Sequence, residues 1–149
     1  MSTRSDEGWL PAIAVGALVA GVLDLTQAII QFGAKVPLVV AGGLLGADAF
    51  KGGAGVYALG VALHFSIALV VAAVYYLASR KLDFLRLHPL VCGLFYGGAV
   101  EEVMNLIVLP LSALHAKGPF SLHSLRDGLI VHMLIIGLPI AYSVRRFSK

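Results

Sequence analysis

The chain has 149 residues, of which 59% are hydrophobic and 13% charged, with a formal net charge of +3. A soluble domain carries about 25% charged residues, so a mean hydropathy of +0.92 excludes a water-soluble globule and, by the same arithmetic, disorder. The single cysteine, Cys92, excludes a disulfide scaffold. What remains is an integral membrane protein.

Four apolar stretches of 20 residues or more follow one another, each long enough to cross about 30 Å of hydrocarbon. The first covers residues 9–32, and the apolar pattern continues past Asp24 to Ile30. Its front end, Arg4 followed by Asp6 and Glu7, is barely positive, and no small-x-small cleavage site follows. A retained helix is therefore expected in place of a cleaved signal peptide. Val36–Phe50 comes next, glycine-rich, apolar and too short to span. It reads as an interfacial helix, a re-entrant segment or an apolar loop on the headgroups. The second stretch, residues 55–79, holds no formal charge between Lys51 and Arg80.

The third and fourth cover residues 89–114 and 125–144. Backbone groups in lipid must bond within their own segment, so each stretch is read as a helix. The fold class is all-α: one transmembrane domain over residues 1–149, built as a four-helix bundle. Gly16-x-x-x-Ala20, Ala17-x-x-x-Gly21, Ala68-x-x-x-Ala72 and Gly93-x-x-x-Gly97 supply small faces for close helix approach. Pro110 and Pro139 each remove a ladder bond and are expected to kink the ends of their helices. Ser124-Leu125-Arg126-Asp127 fits a capping pattern at the fourth start. Cys92 reads as a small packing residue. Trp9, Tyr75, Tyr76, Tyr96 and Tyr142 lie toward span ends, where interfacial aromatics are expected.

The basic residues flank these stretches, so the pI near 9.2 points to anionic lipid headgroups and not to nucleic acid, which needs a basic stripe on a soluble fold. Arg4, Arg80, Lys81, Arg86, Arg145, Arg146 and Lys149 fall on one side of the four-span topology; Lys35, Lys51, Lys117 and Arg126 fall on the other. The richer side is expected to be cytoplasmic, which puts both termini inside.

Ionisable groups within spans are costly and normally face a bundle interior. Asp24, Gln27 and Gln31 share a face of the first span with Ala17, Ala20 and Gly21. His64 lies in the second, Glu101, Glu102 and Asn105 in the third, and His132 in the fourth, on a face with Gly128 and Pro139. Glu102 is turned about 100° from Glu101, so the two acids point different ways. Counting about 1.5 Å per residue places Asp24, His64, Asn105 and His132 at one level, about 11–14 Å below the outer boundary, with the two acids a turn deeper.

Three readings of this buried polar layer stay open. It can fix helix register, at about 1 kcal/mol per contact or less. It can form a proton or ion pathway, the usual use of Asp, Glu and His chains. It can hold haem or a metal on His64 and His132, with Glu101 beside them; no close-spaced ligand motif supports this, and no cofactor is the expectation. An enzyme is the less favoured class, since Ser112 has no base on its own helix. His115 and His123 flank the third loop, where solvated roles are expected. Four helices are few for a transport path, so that reading implies a homo-oligomer.

Five blocks resemble those of a family of small uncharacterised bacterial inner-membrane proteins, distantly similar to YagU-type proteins. They are Ala20–Asp24, Gly43–Phe50, Ala58–Ala68, Met104–Ala113 and His132–Ala141. The likeness to the smaller members covers nearly the whole chain. It implies a multi-pass inner-membrane protein in which Asp24, His64, Asn105, Pro110, His132 and Pro139 belong to the shared pattern, and it brings no substrate or reaction. Glu101 and Glu102 depart from that pattern, where apolar or aromatic residues are expected.

Overall fold

A computed structural model describes residues 8–117 and 121–148; Arg4, Asp6, Glu7 and Lys149, used above, lie outside them. The described residues form helices without strands. Four are long and apolar enough to cross a membrane: α1 (Trp9–Phe32), α3 (Ala54–Lys81), α5 (Pro89–Leu111) and α6 (Leu122–Phe147). Two short helices join them, α2 (Val36–Leu45) and α4 (Phe84–Leu87). The chain is an all-α, multi-pass membrane protein.

Its packing is inverted relative to a soluble domain. The interior is built on small residues, among them Ala12, Ala17, Ala20, Ala68, Ala72 and Ala141, while Leu18, Val70, Leu77, Phe95, Leu106 and Leu111 stand exposed. Lipid tails are as apolar as leucine, so nothing drives the large side chains inward, and close backbone approach does the work of association.

The small-residue faces meet as their spacing predicts. Gly16 lies against Ile140 and Ser143 of α6, and Gly21 against Phe65 and Ala68 of α3. On the other side of the bundle, Gly93 and Gly97 of α5 take the backbone of α6 at Gly137 and at His132–Met133. One polar bond reinforces α1 on α6: Ser143 Oγ donates to Ala12 O at 2.8 Å. The helices run in the order α3, α1, α6, α5 around the bundle, each packed on the next. The remaining seam differs. α3 and α5 do not pack backbone to backbone, and the Tyr96 hydroxyl bridges them by donating to Val71 O at 2.6 Å.

The first and last described residues lie at one end of the bundle, with Gly8 against Phe147, where Arg86 donates to Ser148 O and Arg145 to Leu87 O. Arg80, Lys81 and Arg146 belong to the same end, in the last turns of their helices. The far end is covered by α2, which is tucked into the bundle and not laid free on it. Pro37 and Ala41 are buried, Pro37 against Gly60 of α3, Gly42 packs under Leu114, and Gly43 O accepts from Ala113 N at 2.8 Å.

Several local expectations change. α6 starts at Leu122, three residues before the expected boundary, and its cap is Ser121, whose hydroxyl accepts from Ser124 N. Asp127 pairs instead with Arg126 and His123. α5 ends at Leu111 instead of 114. Before each proline the helix widens into a π-turn, at Met104–Val108 and Met133–Gly137, and α6 then continues through Pro139 to Phe147. A proline leaves the carbonyl four residues earlier without its donor, and the extra residue in the turn re-routes the ladder. Tyr75 and Tyr76 are buried and Tyr96 half-buried, because their hydroxyls find partners inside the protein: Tyr75 donates to Leu85 O, and Tyr76 accepts from Arg80. Trp9 and Tyr142 remain exposed, as interfacial aromatics are.

Candidate functional site

The polar residues of the four spans resolve into two carboxylate–imidazole pairs, one on α1 and α3, the other on α5 and α6. In the first, His64 Nε2 lies 3.9 Å from Asp24 Oδ2 and 2.9 Å from Gly21 O. A carbonyl only accepts, so Nε2 carries the proton, and His64 keeps Nδ1 as its remaining ring nitrogen. The separation from Asp24 is that of an ion pair and too long for a hydrogen bond. Gly21 serves this pair twice: its missing side chain lets α3 approach, and its carbonyl orients the imidazole. Phe65 stacks edge-on against His64 at 5.5 Å between ring centres.

The second pair is tighter. His132 Nδ1 lies 3.0 Å from Glu101 Oε2 and 3.1 Å from Gly128 O, so its N–H is shared between carboxylate and carbonyl and Nε2 is left over. Glu101 is buried, and its carboxylate sits where a side chain on Gly128 would otherwise be. Asn105, also buried, donates from Nδ2 to Glu101 O at 3.1 Å. Both Asn105 and His132 stand at the start of the π-turns described above. That backbone feature is frequent at functional sites because it re-aims side chains by about one residue's rotation.

Asp24, His64 and His132 line one cavity of about 250 Å³. Ser112 lines it as well, and α2 closes its far end with Val36, Val39, Val40 and Gly43. The rest of the wall is apolar. The expected layer is thus three residues around a cavity, with Glu101 and Asn105 behind His132. Glu102 is half-buried and points away, with no ion-pair partner among the described residues. Gln27 and Gln31 bond to each other outside the cavity. His115 and His123 are exposed.

Among the described residues no three His, Cys, Asp or Glu side chains converge as a metal site would require. Cys92 is buried against Phe84 O, a packing position. Two features escape sequence reasoning. Gly128 makes room for the Glu101 carboxylate, and Ser112, beyond the last turn of α5, reaches the cavity. The alignment of Gly128 with His132 was the available signal for the first; nothing local signals the second. The chain matches no family model, and no curated protein or solved structure is significantly similar to it.

Proposed function

We propose that the protein is a small proton-coupled carrier of a bacterial inner membrane, with both termini cytoplasmic and YagU-like relatives. The observation that carries this reading is the pairing of Asp24 with His64 and of Glu101 with His132 around one cavity within a span-deep, apolar wall. An ionised carboxylate away from water is costly unless paired. An imidazole is the partner whose own charge changes in the physiological range. Each pair is therefore neutral while it holds the proton and carries one negative charge once it gives the proton up, a charge that a bound cation can balance. Asp24, His64 and His132 bind at the cavity; Glu101 sets the protonation of His132, and Asn105 holds the Glu101 backbone. The cluster of Arg80, Lys81, Arg86, Arg145 and Arg146 beside the chain ends supports a cytoplasmic placement of that end. Only four helices surround the cavity, so the working form in this reading is a homo-oligomer.

Proteoliposomes with an entrapped pH dye test the reading. A proton flux is expected that Asp24→Asn abolishes while the variant still folds, and that Glu101→Gln lowers. Flux unchanged in both variants removes these carboxylates as carriers.

A second reading has its own support. In both pairs the ring N–H also meets a backbone carbonyl, that of Gly21 for His64 and that of Gly128 for His132, as the contacts of a purely structural polar layer that fixes helix register would. In that case folded His64→Leu and Asn105→Leu variants keep the phenotype and any loss is of stability; expression, stability and phenotype all unchanged would mean the layer has no function. Folded variants that lose the phenotype rule it out.

A further inference from the structure

The seam between α3 and α5 is open to the outside of the bundle as a groove of about 470 Å³, a volume within the range of about 300–1,000 Å³ typical of small-molecule sites. Leu63, Val70 and Val74 line it from α3, and Ala99 and Val103 from α5. Ile67, Val71, Val100, Met104 and Val108 line both the groove and the polar cavity, so one layer of apolar side chains divides the lipid-facing surface from Asp24 and the imidazoles. α2 covers the far end of the cavity, and the buried small residues Ala20 and Ala68 lie along it. The way in that crosses only apolar side chains is lateral, from the membrane, and opens when those side chains part.

The chemistry at the inner end selects the head group. The Nε2–H of His64 is directed to Gly21 O, and the Nδ1–H of His132 is shared by Gly128 O and the Glu101 carboxylate. What each neutral ring has left is a lone pair, and the Asp24 carboxylate has only acceptors. With both imidazoles neutral, Asp24 and Glu101 leave two negative charges in an apolar surround. We propose that the cavity takes a membrane-dissolved, single-chain amphiphile with a protonated amine head, its chain lying between α3 and α5 and its ammonium at Asp24, His64 and His132. This rests on the carrier reading and gives it a substrate class.

Binding is an exchange. The ammonium keeps its own protons, while a second proton, held on His64 Nδ1 or His132 Nε2 when the cavity is empty, leaves to water as the cation enters and the ring becomes neutral. The groups that face these rings are Asp24 from α1, Glu101 from α5, and the two imidazoles themselves; α2 contributes only apolar residues and glycine.

The test uses the full chain in phosphatidylcholine nanodiscs and a twelve-carbon amine with a diazirine on its chain, cross-links being located by mass spectrometry. Cross-links are expected on the groove residues of α3 and α5. Dodecylamine should compete for them, and dodecanol or lauric acid at the same concentration should not. Asp24→Asn is expected to lower specific labelling about tenfold, the loss of about 1.4 kcal/mol of binding. Ala99→Trp fills the groove at an exposed position and should do the same; Val100→Phe repeats the test from the shared wall should the first variant fail to fold. Equal competition by lauric acid overturns the amine head. Labelling spread over the whole lipid face, or unchanged in the folded groove variants, overturns the groove. Proton flux without specific labelling leaves the carrier and removes this inference; specific labelling without proton movement does the reverse.

Discussion

Gly128 shows how much a missing side chain can decide at the scale of one residue. The Glu101 carboxylate occupies the space its Cβ would take, and that carboxylate holds His132. Gly128→Ala is expected to push Glu101 off the imidazole and lower stability by about 1–3 kcal/mol, the usual cost of overpacking, read as thermal unfolding in detergent. In a Glu101→Ala background the same substitution should cost nearly nothing, because contacting residues are not additive; an undiminished loss there means another contact is responsible. The six polar candidates were legible because ionisable groups are rare in spans and stand out against apolar neighbours. Their pairing was not. Which helix face meets which neighbour is a tertiary fact, and a count of residues along each span sets level without setting direction. Tyr75 and Tyr96 misled for a related reason: a hydroxyl that reaches a carbonyl on another helix is as comfortable inside the bundle as at its surface.

At the scale of elements, the α5–α6 contact rests on glycine backbone. A Cβ on Gly137 would collide with Gly93 O, whereas one on Gly98 would meet only side-chain carbons of Leu129 and Met133 at 3.6–3.7 Å. Gly137→Ala should therefore destabilise by about 1–3 kcal/mol. Gly98→Ala should be neutral or stabilise by up to about 1 kcal/mol, since alanine is the better helix former. Equal effects on the unfolding midpoint would show that the close approach carries no weight. Four spans could be read from length and hydropathy because lipid enforces both. The first boundary was the sharpest, Trp9–Phe32, and the fourth the poorest. The polar first turn of α6, with Ser121, His123 and Arg126, gives no hydropathy signal, and its true cap lies three residues before the serine that fits a motif. The π-turns were hidden for a different reason: one extra residue in a turn leaves no trace in composition, and only the prolines after it hint that the ladder is disturbed.

At the scale of the molecule, large apolar side chains on the outside and alanines within identify the solvent as lipid. The chain ends and the clustered arginines share one end. Cysteines placed at Lys149 and Lys117 in a Cys92→Ser background are expected to react with membrane-impermeant maleimide from opposite sides of the membrane, Lys117→Cys in intact cells and Lys149→Cys only after permeabilisation. Labelling of both from one side would contradict four crossings, and the reverse pattern would invert the orientation.

The open seam also has a mechanical meaning. Three of the four joints around the bundle are made of interlocked backbone and small side chains; the fourth is centred on Tyr96, its hydroxyl on Val71 O and its ring edge-on to Tyr75 at 4.9 Å. Such an arrangement behaves like a bound book, with α1 and α6 as the spine and α3 and α5 as the covers. Turning the covers apart breaks the contacts of Tyr96 with Val71 and Tyr75 and leaves the three facing joints intact. Each cover also moves with half of the charge. Asp24 on the spine stays near His64 on one cover, and His132 stays near Glu101 on the other, so opening widens the gap between pairs without separating either. A single leaf-like motion would thus change access to the cavity and the distance between its two acid–imidazole couples at the same stroke, at the cost of one hydrogen bond and one aromatic pair, about 1–3 kcal/mol.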